Sequence, residues 1–160
     1  MKEKIERALG QLIGEPLTGM FRFAGIQAFR FGVLRPGKNY KGEDVMRVDR
    51  SLHVSCSWRI MGLEGAVVSS EDFGRNGARN DEYAHPFYHL INSHPLLVEA
   101  IEADEHGAIR LQLSRGYSLE VQPDEPEDEP DEDSTGEQWR FLPKDKRRRQ
   151  LVITSKGIQL

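Results

Sequence analysis

From Ser51 to Ile60 the chain alternates without a break: Leu52, Val54, Cys56, Trp58 and Ile60 on one side, His53, Ser55, Ser57 and Arg59 on the other. A period of two is the signature of a strand buried on one face, and the pattern predicts a single strand from about Arg47 to Ile60. The amino-terminal stretch keeps a different period. Ile5, Ala8, Leu9, Leu12 and Ile13 recur at helical spacing, and Gly14 with Pro16 supplies a stop, so a short amphipathic packing helix is expected. From Leu17 the period returns to two. "LTGMFRF" and "IQAFRFGVL" read as strands on either side of Ala24-Gly25, "RPGKNYKGED" as a polar surface loop, and "LEGAVVSS", after a turn near Gly62, as a strand returning against the Arg47 to Ile60 stretch.

In the second half "LLVEAIEA" fits either period, but "DEHG" followed by "AIRLQLS" makes a hairpin more economical, so 96–103 is read as a strand. Arg115-Gly116 are the central residues of a tight turn, with Ile109, Leu111 and Leu113 before it and Leu119 and Val121 after. "EQWRFLP" and "RQLVITS" complete a run of short strands that reads as a meander. The stretch from Ser69 to Pro95 has no strand pattern. Its aromatic content calls for packing, and Pro86 at a first helical position, with Phe87, Leu90 and Ile91 following, predicts a short helical crossing segment. The expected fold is α+β: mainly an antiparallel sheet, a meander, with a short N-terminal helix and that crossing segment.

A chain of 160 residues is the usual size of one domain, so 1–160 is read as a single domain in which 123–136 forms a flexible acidic loop. The net charge of -4 conceals two poles. Asp124 to Asp133 holds eight acidic residues and no basic one; Lys144 to Arg149 holds five basic residues and one acidic. Three prolines among like charges cannot continue a strand or bury surface. Cys56 is the only cysteine, which rules out an intrachain disulfide and suits a reducing cytoplasm. No apolar run is long enough for a signal-peptide core or a bilayer span, so a soluble cytoplasmic protein without a membrane partner is expected.

The candidate chemistry is sparse. His85 and His89 stand at i, i+4, a spacing that can hold a metal, but Pro86 occupies the place where the metalloprotease motif needs its glutamate, and no third ligand accompanies them. No metal and no cofactor is therefore expected. Asp81, Glu82 and His85 form an acid/base trio of a kind that polar loops often contain. Cys56 and His53 point to opposite faces of their strand and cannot pair as thiolate and imidazole. With no G-x-S-x-G and no phosphate-binding glycine loop, no catalytic residue is assigned. "KDKRRR" invites a nucleic-acid reading, which the neighbouring acidic tract disfavours by repelling the same backbone.

Three stretches, "LHVSCSWRI", "GAIRLQLSRGYSLEV" and "EQWRF" with a closing "LVITSKG", resemble small bacterial proteins of uncharacterised families, including immunity-like proteins found beside toxin genes. The likeness runs from about Leu17 onward. It implies an α+β domain with extensive antiparallel sheet, supplies no catalytic residues, and favours a non-enzymatic interaction protein. An immunity-type inhibitor would occlude the active site of a basic toxin domain, with Asp124, Glu125, Glu127, Asp128, Glu129, Asp131, Glu132 and Asp133 meeting the partner's positive surface. Self-association through the two charge poles is a second route. The competing expectation is a small enzyme or ligand-binding domain in which the 69–95 loop, with Asp81, Glu82, His85 and His89, covers the polar face of strand 51–60 and Arg59.

Overall fold

The structure, a computed structural model, describes residues 1–73, 86–125, 136–145 and 147–159. Helix α1, Lys2–Leu9, tightens into a 3-10 turn at Gly10–Leu12 and buries Ile5, Leu9 and Leu12. Ile13, expected on the same face, is 53% exposed because the backbone has already become extended there. The strands are β1 Pro16–Phe23, β2 Ile26–Phe31, β3 Arg35–Lys38, β4 Asp44–Arg47, β5 Arg50–Val54, β6 Ser57–Gly62 and β7 Gly65–Ser69. After helix α2, Pro86–Ser93, follow β8 Leu96–Ala103, β9 Ile109–Leu113, β10 Ser118–Gln122, β11 Glu137–Leu142, β12 Leu151–Thr154 and β13 Gly157–Gln159.

Eleven strands form one antiparallel sheet in the order β13-β12-β11-β5-β2-β1-β8-β9-β10-β6-β7, and β3 and β4 form a separate pair. The fold is thus α+β, with a large antiparallel sheet and a short N-terminal helix. The expected single strand from Arg47 to Ile60 is instead two, with only Ser55 and Cys56 between β5 and β6. Those two strands stand six places apart in the sheet order. In a flat sheet six places would separate them by about 29 Å, whereas two linking residues reach about 10 Å. The sheet must therefore roll up until its fourth and tenth strands meet end to end at the Ser55-Cys56 bend. The roll does not close into a barrel, because β13 and β7 remain at opposite ends of the order.

The inner faces of the roll merge in one hydrophobic cluster that takes in Leu52, Val54, Cys56, Trp58 and Ile60 from both sides of the bend. The alternation thus carries its inward face straight through the break. Helix α1 packs on β8 and α2 on β1. Trp139, fully buried on β11, fastens one wall of the roll to the other by donating its indole N–H to the carbonyl of Gly107 at 2.8 Å, in the β8–β9 turn. Gly107 has φ of 90°, and a Cβ there would lie 2.7 Å from Ile153 Cγ2, so the turn admits no larger residue without displacement.

Other expectations stand. Residues 96–103 are a strand, and the Arg115-Gly116 hairpin has Leu111 opposite Leu119 and Ile109 opposite Val121. Both turn residues take positive φ, 61° and 80°, as a type I′ turn requires. Pro86 opens α2, with Phe87 and Ile91 buried. Two expectations fail. The segment read as a polar loop, 35–44, instead supplies strand β3, the turn and the first residue of β4 in the β3–β4 hairpin, the turn fixed by the Asn39 side chain accepting from the amides of Lys41 and Glu43. Its Pro, Gly and Lys content hides any apolar alternation. The meander also fails beyond β10: β10 pairs with β9 and β6, and β11 with β12 and β5, so β10 and β11 are not partners.

Candidate functional site

The failed pairing explains the acidic tract. On β10, Val121 stands opposite Trp58 and Gln122 opposite Ser57. On β11, Trp139 stands opposite Val54 and Arg140 opposite His53. Continuing the β10 register past the bend would put Glu125 opposite Val54; Trp139 occupies that place, fourteen residues later. β10 and β11 thus run in the same direction along one side of the bent 50–62 segment, and the acidic tract is a fourteen-residue excursion inserted between them at the bend. Gln138 holds its base. Its Oε1 accepts from the Asp124 amide at 2.8 Å, its Nε2 donates to the Gly136 carbonyl at 3.2 Å, and its own carbonyl accepts from the Ser55 amide at 2.8 Å. Ser57 adds a hydroxyl bond to Asp124 Oδ1 at 3.3 Å.

Of the eight acidic candidates, Asp124 and Glu125 are described and both are exposed. Glu127, Asp128, Glu129, Asp131, Glu132 and Asp133 lie outside the described residues, as do Asp81, Glu82 and His85 of the alternative site. His89 is exposed on α2. Arg59 is exposed on the outer face of β6 and bonds Glu120 Oε2 at 2.6 Å, while Arg110 approaches the same carboxylate at 4.0 Å. Arg59 sits opposite Glu120, Glu120 opposite Arg110, and Arg110 opposite Glu102, so four strands carry a row of alternating charge. This row forms much of the floor of an open groove of about 670 Å³, with Ser69, Ser70 and Glu71 at its rim. Within the described residues no three His, Cys, Asp or Glu side chains group as a metal site would need.

A second cavity, of about 590 Å³, opens where the roll ends at the bend. Arg22, Gln27, Val54, Cys56, Trp58 and Phe73 line it, together with Ser55, Ser57, Ser70, Glu71 and Asp124. Register explains the set: Arg22 faces Gln27 across β1 and β2, and Gln27 faces Val54 across β2 and β5, so all three share the inner face at one end of their strands. Trp58 stacks on Phe73 at 6.2 Å, and the Arg22 guanidinium lies over the Phe73 ring, 5.0 Å from its centre. Gln27 is 2% exposed, and its Oε1 has no hydrogen-bond partner among the described residues. Leaving such an acceptor unsatisfied costs about 1–3 kcal/mol. Sequence reasoning passed over Gln27, although a signal was present: in "IQAFRF" it holds an inward position with Phe29 and Phe31, where a polar residue is out of pattern.

The Cys56 thiol in this cavity is not activated as a nucleophile. Burial, with a further push from the Asp124 charge, raises the Cys56 thiol to about 12, so it stays protonated at neutral pH. His53 lies on the opposite face, half-buried with its ring 5.3 Å from Phe23, edge to face. The described helices include none long and apolar enough to cross a membrane. No family model matches the chain, and no curated protein or solved structure does so either.

Proposed function

We propose that the chain is a non-enzymatic protein-interaction module that presents its acidic excursion, at the bend of the rolled sheet, to a basic surface on a partner protein. The observation that carries this reading is the register: β10 and β11 pair along one bent segment, and fourteen residues rich in carboxylates interrupt them where the ladder itself needs none. Like charges gathered in one segment steer and select an opposite surface. The basic run begins beyond Leu142, at the far end of β11. Six strand residues span roughly 17–20 Å, so the points where the two charged segments leave β11 are separated by more than a Debye length of about 8 Å. An inhibitor of a bacterial toxin with a basic active-site surface is the immunity-type form of this reading, and the unpaired buried thiol suits a cytoplasmic setting.

The test uses wild type and a variant with all eight carboxylates from Asp124 to Asp133 changed to amides as paired baits, followed by titration of the recovered protein at low and high salt. The wild type is expected to bind a basic partner in a salt-sensitive manner, and the variant to lose both the affinity and the salt dependence while keeping its thermal midpoint. Equal binding by both baits, or unfolding of the variant, overturns the reading.

A further inference from the structure

We propose that the basic end of the sheet, where the β3–β4 hairpin meets the β11–β12 connection, is the docking surface for the acidic tract of a second copy of this chain; the proposal rests on the basic-partner reading above and names that partner. Strand pairing brings the two basic segments together. Leu142 at the end of β11 stands opposite Ser51 at the start of β5, and Phe141 stands opposite Leu151, so the 143–150 connection leaves the sheet at that end. β4 stops at Arg47, just before β5. Asp49, between them, draws both segments in: its Oδ2 takes Arg35 Nη2 at 3.1 Å and lies 3.9 Å from Lys144 Nζ. One carboxylate thus serves two cations, and Arg47, Arg148 and Arg149, all exposed, have no acidic partner among the described residues. Arg47 also stands directly opposite Arg35. Like charges so placed destabilise a strand pair, here on a two-stranded hairpin that is marginal by itself, and an anion from outside relieves the repulsion.

The chain carries the complement in its own sequence: eight carboxylates and no cation from Asp124 to Asp133. Length limits their meeting within one molecule. Ten residues join Glu125 to Gly136, so the middle of the tract reaches about 17 Å from either at full extension, while β11 alone sets the basic end roughly 17–20 Å away. Only the crest of a fully stretched tract would touch it. The tract of a second copy approaches from solvent and is free to meet several cations at once. A nucleic acid brings negative charge too, but a long polyanion also meets the tract at the other end of β11, on a chain whose net charge is -4. The contact joins unlike surfaces, so each pair keeps one free basic end and one free tract, and association continues past two copies.

The experiment is sedimentation velocity on the whole chain over a range of concentrations at low and high salt, with thermal midpoints to check folding. Wild type is compared with the eight-amide tract variant and with a basic-end variant carrying Arg47→Gln, Arg147→Gln, Arg148→Gln and Arg149→Gln, which leaves Arg35 and Lys144 to Asp49. At low salt the wild type is expected to grow with concentration past the dimer, and at high salt to return to monomer. Each variant alone should associate at least tenfold more weakly, and an equimolar mixture of the two should regain association but stop at two copies. Arg148→Gln with Arg149→Gln alone, outside the ladder, gives a second reading and should weaken association several-fold. A control with Lys2→Gln, Lys4→Gln, Arg7→Gln and Lys156→Gln, all exposed elsewhere, should associate as wild type does. A monomeric wild type, a folded mixture without association, or a control as weak as the basic-end variant overturns the surface. Displacement of the second copy by an oligothymidylate that binds more tightly overturns the occupant and assigns the surface to nucleic acid. The two proposals fail separately: a basic-end variant that associates as wild type does, while the tract variant does not, removes only this surface, and a tract variant that associates as wild type does removes the basic-partner reading as well.

Discussion

On either side of the Ser55-Cys56 bend the same strand pattern meets two different outer surfaces. Beyond β5 the outward side chain, His53, is half-buried against Phe23, which stacks on Phe21 at 5.6 Å, with the Arg30 guanidinium over Phe21. Beyond β6 the outward side chain, Arg59, is exposed and paired with Glu120 in the row of alternating charges. The inner faces hardly differ: Leu52 and Val54 on one side, Trp58 and Ile60 on the other, all buried. Alternation along a strand decides which side chains turn inward, but neighbouring strands decide what the outward ones experience. β5 lies between β2 and β11 with the aromatic residues of β1 one strand further; β6 lies between β10 and β7.

The inner face should give the largest response. Trp58 is 5% exposed and stands edge-on to Phe29 at 5.0 Å, with Phe73 stacked on it. Trp58→Ala is expected to destabilise by about 3–5 kcal/mol, since a large aromatic side chain leaves a cavity that the surroundings fill only in part. Denaturant midpoints of the two proteins measure this. A loss below about 1 kcal/mol would make the β6 side of the bend different from the β5 side on its inner face as well as its outer one.

The strands themselves were legible because their signal is local. The 109–122 hairpin announced its turn by Arg115-Gly116, and "LTGMFRF" and "IQAFRF" broke at Ala24-Gly25, where both residues take positive φ. The bend was not legible, because Leu52, Val54, Cys56, Trp58 and Ile60 keep one inward face through it, and a change of partners leaves no mark on a period of two. The placement of β10 and β11 on one bent segment is a long-range pairing that neither strand encodes alone. For the same reason the acidic tract was visible as charge and read as a flexible loop between consecutive strands of a meander, and its anchor through Gln138 and Ser57 appears only once the register is known. The histidine loop offered chemistry in sequence, yet of its candidates only His89 falls among the described residues, and it is exposed.

The β5 outer face should give a smaller, pH-dependent effect. Burial, aided by the Arg140 charge and partly opposed by Glu137, lowers the pKa of His53 from its ordinary 6.5. The unfolded chain then holds the proton more readily than the folded one, so stability declines as pH falls through about 6.5 and levels off below the folded-state value. Thermal midpoints between pH 8 and pH 5 for wild type and His53→Gln isolate this contribution, because the other four histidines are common to both proteins. The wild-type curve is expected to fall more steeply on the acid side. Parallel curves would show that the aromatic cover leaves the imidazole as free to charge as it is in the unfolded chain.

The smallest effect belongs to the β6 outer face. Arg59 and Glu120 meet at 2.6 Å, but the Arg59 side chain keeps 55% of its exposure, so water and salt screen the attraction and ordering the arginine offsets part of it. A double-mutant cycle with Arg59→Ala, Glu120→Ala and both together is expected to give a coupling of about 0.2–1 kcal/mol, shrinking further at high salt. Arg110 tempers the Glu120→Ala arm, because it approaches the same carboxylate at 4.0 Å and loses a partner when that carboxylate is removed. Repeating the cycle in an Arg110→Ala background separates the two contacts. A salt-insensitive coupling above about 2 kcal/mol would mean that the charge row is shielded from water as His53 is, and the contrast between the two outer faces of the bent strand would disappear.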